Sequence, residues 1–127
     1  MPRRVLLVED NELNRDMLSR RLKRAGHEVL MAGDGQVALE LIRSSAPDVV
    51  LLDMNLPVKD GWTACAEVRA DAAISGTRII ALTAHAMGED RSRALEAGCD
   101  DYATKPVDFP DLLEKIEQLC AKQDNPG

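Results

Sequence analysis

Three apolar runs of this chain, and a shorter fourth segment, each end in polar or charged residues that do not stay in an apolar core. These segments are 5–8 before Glu9 and Asp10, 49–52 before Asp53, 79–82 before Thr83, and 102–104 before Lys105 and Pro106. Apolar runs of this length, bounded by helical patterns, are typical of buried parallel strands. Because parallel strands point the same way, their last residues gather at one edge of the sheet.

That edge is predicted to hold three carboxylates, one hydroxyl and one ammonium group. Like charges that are crowded together cost free energy unless something offsets them. A loop or capping role is the simpler interpretation of any one of these residues alone, but not of the whole set. We therefore interpret the cluster as a functional site.

The hydrophobic periodicity alternates between strand and helix along the chain. Five strand segments alternate with five helical segments, which indicates a three-layer α/β domain with helices on both faces of a parallel sheet. The predicted strands are 5–8, 28–31, 49–52, 79–82 and 102–104, and the predicted helices cover 13–25, the region around 38–42, 62–69, 88–97 and 109–119.

The composition restricts the classes of function. A length of 127 residues suits one domain, which we place at 1–122, followed by a short polar tail at 123–127. The formal net charge of -6 argues against nucleic acid as the main partner. No apolar stretch is long enough for a signal peptide or a transmembrane span, so we expect a cytoplasmic protein with no membrane partner.

The cysteines and histidines suggest no metal site of their own. Cys65, Cys99 and Cys120 are odd in number and widely spaced, and we expect buried or half-buried thiols in a reducing compartment. His27 and His85 are isolated in the sequence, and we expect solvated or structural roles for them.

The loop after the first strand, residues 9–12, indicates which ligand the site accepts. This loop is acidic and has no glycine, so it would repel a directly bound phosphate. An acid-lined pocket instead favours a hard cation with oxygen ligands, and Mg²⁺ fits best because it needs few carboxylates and keeps several waters. Asp53, which follows the most apolar strand, is the predicted nucleophile that attacks a phosphoryl group. Lys105 and Thr83 would then stabilise the phosphoryl oxygens.

These segments together resemble the receiver domain of the bacterial two-component response regulators, over residues 5 to about 119. The resemblance is carried by Val8-Glu9-Asp10-Asn11, by Leu52-Asp53-Met54-Asn55-Leu56-Pro57 with Asp60-Gly61, by Ala81-Leu82-Thr83-Ala84 and by Thr104-Lys105-Pro106-Val107. It implies a flavodoxin-like, doubly wound sheet of five parallel strands in the order 2-1-3-4-5.

The resemblance also implies how the metal and the phosphoryl group are held. It implies Asp53 as the phosphoacceptor, with Mg²⁺ bound by Asp10, Asp53 and the backbone carbonyl of Asn55. Glu9 is implied to act on the metal through water.

The resemblance also implies which residues respond when Asp53 is phosphorylated. The resemblance implies Thr83 as the switch hydroxyl, coupled to the aromatic ring of Tyr102, and Lys105 as the phosphate-binding cation. It implies a cis peptide bond between Lys105 and Pro106. We expect phosphorylation to reshape the surface at 86–101, together with the last helix, into a new face for a partner.

The implied phosphodonor is a histidine kinase or a histidine phosphotransfer protein, docked on the first helix. We expect an exposed apolar contact at Leu13 or Met17, flanked by basic residues such as Arg15. A basic face that is merely solvated remains the alternative.

Because the chain stops after the fifth predicted helix, we expect a stand-alone receiver that signals by contact with an unidentified downstream protein. An origin in a larger hybrid kinase remains open. We expect no enzyme activity beyond its own phosphorylation and dephosphorylation.

Two other functions deserve comparison with this one. A phosphohydrolase of the haloacid dehalogenase class also uses an aspartyl phosphate and Mg²⁺. However, it carries an acid two residues after its nucleophile on the first strand, whereas this chain has Asn55 after an aspartate on the third. A degenerate receiver that only binds partners is disfavoured by the complete set of Asp10, Asp53, Thr83 and Lys105.

Overall fold

The structure, a computed structural model, describes the backbone of residues 3–84 and 88–124 and the side chains of residues 3–84 and 92–121. His85, and residues 86–91 of the predicted switch surface, lie outside the described side chains. The elements are β1 Arg4–Val8, α1 Glu12–Arg24, β2 Glu28–Ala32, α2 Gly35–Ser45, β3 Val49–Asp53, α3 Gly61–Ala70, β4 Ile79–Thr83, α4 Gly88–Glu96, β5 Asp101–Thr104 and α5 Phe109–Asp124.

The five strands form one parallel sheet in the order β2-β1-β3-β4-β5. The predicted fold class, strand directions and strand order are therefore confirmed. Every residue of β3 and β4 is buried, as expected for central strands that have helices on both faces. None of the described helices is long and apolar enough to cross a membrane.

Alternate strand residues face two separate cores. Leu6 and Val8 of β1 pack with α2 and α3 on one face, and Val5 and Leu7 pack with α1 and α5 on the other. Both cores contain side chains with no exposed surface, such as Leu22 of α1. This packing fixes the sheet, and with it the positions of the loops that follow each strand.

Short polar side chains set where the helices begin. The side chains of Asn11, Asp34, Asp60 and Asp108 accept hydrogen bonds from backbone N–H groups in the first turns of α1, α2, α3 and α5. Each bond satisfies a donor that has no partner within the helix. The bond to Asp108 places the start of α5 at Phe109, where the sequence predicts it.

The helix ends also follow from local chemistry. α1 ends at Arg24, and Gly26 then takes a positive φ of 97°, which glycine adopts without strain. α2 ends at Ser45, because the following Ala46 precedes Pro47, which disfavours a helical residue before it. α5 continues to Asp124, two residues beyond the domain boundary predicted at 122.

Candidate functional site

The residues that end the strands lie together at the carboxyl edge of the sheet, as predicted. β1 leads into Glu9 and Asp10, while Asp53 is the last residue of β3. Asp53 lies beside Leu82 in the neighbouring β4. Since β1 and β3 are adjacent and their helices lie on opposite faces, the cleft between their ends is where ligands of such sheets bind.

Three carboxylates form the acidic part of this edge. One carboxylate oxygen from each of Glu9, Asp10 and Asp53 lies within 4.8 Å of the others. Glu9 and Asp53 are buried, each about 4% exposed, whereas Asp10 is exposed to solvent. An all-oxygen set with one open side suits a hard cation that keeps several waters. The cluster can therefore hold a metal ion.

Lys105 provides the positive charge of the site. Its Nζ lies 2.7 Å from Oδ2 of Asp53, and 3.3 Å and 3.2 Å from the two carboxylate oxygens of Glu9. Its backbone N–H donates to the carbonyl oxygen of Thr83 at 2.7 Å, which ties the loop after β5 to the end of β4. The Lys105–Pro106 peptide bond is cis, the isomer that the resemblance implies.

The three charged groups shift one another's pKa values. Burial, together with the neighbouring Asp53, raises the pKa of Glu9 to about 7. Burial alone would also raise the pKa of Asp53, but hydrogen bonds from Glu9, Lys105 and the Asn55 N–H lower it overall. Burial would lower the pKa of Lys105, yet its contacts with Asp53 and Glu9 raise it. Asp53 therefore stays ionised, and Glu9 takes up a proton first.

The loop after β3 fixes the orientation of Asp53. The backbone N–H of Asn55 donates to Oδ1 of Asp53 at 2.9 Å, so this oxygen and the Oδ2 bound by Lys105 each have a donor. At Gly61 the chain passes very close to the end of β3. A Cβ added to this glycine would lie 2.6 Å from the backbone oxygen of Asp53. Only glycine fits at this approach. The side chain of Asn55 itself is exposed.

The two predicted switch residues lie on neighbouring strands. Thr83 is buried at the end of β4 and Tyr102 is half-buried on β5. Lys115 of α5 is a contact that the sequence analysis missed. Its Nζ donates to the carbonyl oxygen of Tyr102 at 2.6 Å and lies 5.1 Å from the centre of the tyrosine ring. The sequence shows that Asp111 and Lys115 have the i,i+4 spacing of an ion pair on one helix. It does not show that Lys115 also contacts Tyr102 on a distant strand.

The predicted docking residues of α1 are exposed, and they line two different grooves. Leu13 is 81% exposed and Met17 is 59% exposed. Met17 lines a groove of about 510 Å³ between α1 and the loop after β5. Leu13 and Arg15 instead line a smaller groove of about 290 Å³ that also includes Met31 of β2.

Two α1 side chains connect this helix to the acidic cluster. Nη1 of Arg15 donates to the backbone oxygen of Glu9 at 2.9 Å. Nδ2 of Asn14, which the sequence analysis did not single out, donates to a carboxylate oxygen of Glu9 at 3.2 Å. Asn14 lies five residues after Glu9, in the first turn of the predicted helix, and this position could have indicated the contact with Glu9.

Comparisons with known proteins agree with this geometry. The family described as the response regulator receiver domain matches residues 5–117. The polar-differentiation response regulator DivK of Brucella anthropi is 35% identical over 117 residues, which cover 92% of this chain and 95% of DivK.

Two solved structures have the same fold. The receiver domain of the sensor histidine kinase PA1611 from Pseudomonas aeruginosa, solved with a magnesium ion in its active-site cleft, is 35% identical, with a TM-score of 0.87 over 95% of this chain and 99% of that one. The receiver domain of the response regulator Ssk1 from Saccharomyces cerevisiae was solved with the histidine phosphotransfer protein Ypd1. This match is 30% identical, with a TM-score of 0.88 over 96% of this chain and 91% of that one.

The family match covers most of the chain, and the sheet order and the acidic edge are those that the resemblance implies. Members of this family are phosphoacceptors in two-component and phosphorelay signalling. The chain therefore belongs to the response regulator receiver domain family.

Proposed function

We propose that Asp53 is the phosphoacceptor of this receiver and takes its phosphoryl group from a phosphohistidine. In this step an oxygen of Asp53 forms a bond to phosphorus while the bond between phosphorus and the donor's imidazole nitrogen breaks. The observation that supports this most is the placement of Asp53. It is a buried but ionised carboxylate at the mouth of an acidic cleft, held by Lys105 and by the N–H of Asn55.

We propose that the metal is Mg²⁺, bound by the carboxylates of Asp10 and Asp53 and the backbone carbonyl of Asn55. Glu9 would act through water, because its own carboxylate is engaged by Lys105 and Asn14. A bound Mg²⁺ supplies charge neutralisation for a phosphoryl oxygen. The chain's own contribution is to keep the carboxylates close together and the outer side of the cleft open at Asp10.

Lys105 and Thr83 have proposed roles after the transfer. A phosphoryl group brings about -1.5 to -2 charge at pH 7. Lys105, already within hydrogen-bond distance of Asp53, would neutralise part of that charge. The hydroxyl of Thr83 would donate to another phosphoryl oxygen, and Tyr102 on the next strand would fill the space that Thr83 leaves.

The proposed donor is a histidine kinase or a histidine phosphotransfer protein that docks on α1, at the groove lined by Met17 and by Pro106 of the neighbouring loop. The relative Ssk1 was solved with such a phosphotransfer protein, which supports this class of partner. The proposed output is contact with a downstream protein rather than with nucleic acid, in the cytoplasm. We propose no turnover of phosphate esters, because Asn55 stands where a phosphohydrolase of the alternative class needs an acid.

Acetyl phosphate tests the phosphoacceptor without a docking partner. Incubation with Mg²⁺ should add one phosphoryl group to the protein, measured by intact mass, and none to Asp53→Asn. Asp48→Asn is the matched control, since Asp48 lies just before the opposite end of the same strand. Phosphate that remains on Asp53→Asn, or equal modification in excess EDTA, would contradict the proposed site or its metal.

A further inference from the structure

Two cysteines face each other in the core beneath α3, away from the carboxyl edge of the sheet. Cys65 lies on α3, and Cys99 lies in the turn between α4 and β5. Their Sγ atoms are 3.5 Å apart, both residues are buried, and both are free thiols in this structure. The proposed phosphotransfer uses neither of them.

The side chain of Arg69 connects α3, which carries Cys65, to the turn that carries Cys99. Arg69 lies one helical turn after Cys65, and its guanidinium binds the residues on both sides of Cys99. Nε donates to the backbone oxygen of Gly98 at 2.7 Å, and Nη2 donates to a carboxylate oxygen of Asp100 at 3.0 Å. The same Asp100 oxygen accepts the backbone N–H of Ile79 in β4 at 2.8 Å. The turn that carries Cys99 is therefore fastened to both α3 and the sheet.

We propose that Cys65 and Cys99 are an oxidation site, and that a peroxide converts them into a reversible intramolecular disulfide. A disulfide has an S–S length of about 2.05 Å, so the two sulfur atoms have about 1.5 Å left to close. Sulfur atoms 3.5 Å apart are already in van der Waals contact, so no other group lies between them.

The chemistry needs one equivalent of hydrogen peroxide. The thiolate of Cys65 attacks one peroxide oxygen, the O–O bond breaks, and Cys65 becomes a sulfenic acid while the other oxygen leaves as water. The sulfur of Cys99 then attacks that of Cys65, the S–O bond breaks, and a second water leaves. Two thiols thus lose two protons and two electrons in all, and the peroxide takes up both and is reduced to two waters.

The surroundings favour Cys65 as the attacking group. A hydrogen bond from the Cys99 thiol lowers the pKa of Cys65, against the effect of burial, and the positive charge of Arg69 lowers it further. A low pKa raises the thiolate fraction, which is the reactive form. Because Cys65 has no exposed surface and Cys99 is only 5% exposed, the peroxide must enter during a local opening of the α4–β5 turn. We therefore expect slower oxidation than at an exposed thiol.

The test treats the folded, unphosphorylated protein with hydrogen peroxide, denatures it without reductant, and alkylates the remaining thiols. Of the three cysteines in the chain, only one should remain alkylatable, and a digest should contain one peptide pair linked through Cys65 and Cys99. Dithiothreitol should restore all three thiols. The urea midpoint should rise on oxidation and return on reduction, because the link constrains the unfolded chain.

Three serine variants make the assignment specific. Cys65→Ser and Cys99→Ser should form no intramolecular link. Cys120→Ser should link like the unaltered protein, because Cys120 is buried on α5 in the other core. A link that involves Cys120, or sulfinic acid at Cys65 with no linked peptide, would overturn the proposal. Since this experiment uses the resting protein, its result is independent of the proposed phosphotransfer.

Discussion

Replacing Lys105 by methionine tests whether its charge offsets the buried acids. Methionine keeps most of the side-chain volume but removes the ammonium group that contacts Asp53 and Glu9. Removing one partner of a fully buried ion pair costs about 3–5 kcal/mol, whereas an exposed pair is worth about 0–1 kcal/mol. The side chains of Lys105 and Asp53 are 29% and 6% exposed, which places this pair between those limits. We expect Lys105→Met to lower the free energy of unfolding by about 1–3 kcal/mol in metal-free buffer.

The measurement is urea unfolding of both proteins with EDTA and with Mg²⁺. A ligand at ten times its Kd stabilises the folded state by about 1.4 kcal/mol. At one fixed Mg²⁺ concentration, we expect a larger gain for Lys105→Met, because the metal then replaces the missing positive charge. Lys23→Met is the matched control, since Lys23 is an exposed lysine near the end of α1. It should change neither the stability nor the Mg²⁺ response by more than about 0.5 kcal/mol.

Adding Asp53→Asn to Lys105→Met separates charge from packing. If the loss comes from an uncompensated carboxylate, removing that carboxylate should recover part of it, so the two changes should be less harmful together than their sum. Strict additivity, or a Lys105→Met protein as stable as the original in EDTA, would refute the view that Lys105 supports the acidic edge.

Three further predictions concern the docking helix, the switch and pH. Arg15→Glu should slow phosphotransfer from a histidine phosphotransfer protein but not from acetyl phosphate, while Arg24→Glu, at the far end of α1, should slow neither. Equal slowing with both donors would mean that Arg15 acts through its bond to Glu9. Thr83→Ala should still be phosphorylated by acetyl phosphate, but its binding to a downstream protein should no longer respond to phosphorylation; a full response would contradict the proposed switch. Burial lowers the pKa of His27 from its ordinary 6.5. Below about pH 6.5 the unfolded chain therefore binds more protons than the folded chain, and the free energy of unfolding falls as the pH is lowered. His27→Gln should lose less stability on acidification, and an unchanged pH profile would exclude this contribution.

The sequence was sufficient to predict the fold, and the location of the site at the carboxyl edge of the sheet, because both depend on the direction of the strands. Once the apolar runs ending before Glu9, Asp53 and Thr83 are identified as parallel strands, their ends must converge, and the structure confirms that they do. The prediction of buried cysteines is confirmed in the same way, because small apolar side chains within α/β patterns seldom face solvent.

Side-chain partners between distant elements could not be predicted in this way. The apolar residues of α1 form two stripes, since Met17 and Leu22 are five residues apart, or about 140° around a helix. Leu22 has no exposed surface and Met17 is 59% exposed, but periodicity alone does not say which stripe packs on the sheet. The pairing of Cys65 with Cys99 depends on how α3 packs against the turn before β5, and no local pattern encodes that distance.

In the proposed mechanism, Lys105 connects the chemistry of the site to the switch. In the resting protein its ammonium is occupied by Asp53 and Glu9, and its backbone N–H is bonded to the oxygen of Thr83. A phosphoryl group on Asp53 would compete for that ammonium with about twice the charge of a carboxylate. Any displacement of Lys105 would be transmitted to the end of β4 through the bond to Thr83. Lys115 holds the backbone oxygen of Tyr102, so the ring movement proposed for the switch would leave this backbone contact of β5 in place. The same contacts that make the acidic edge stable would thus make it sensitive to phosphorylation.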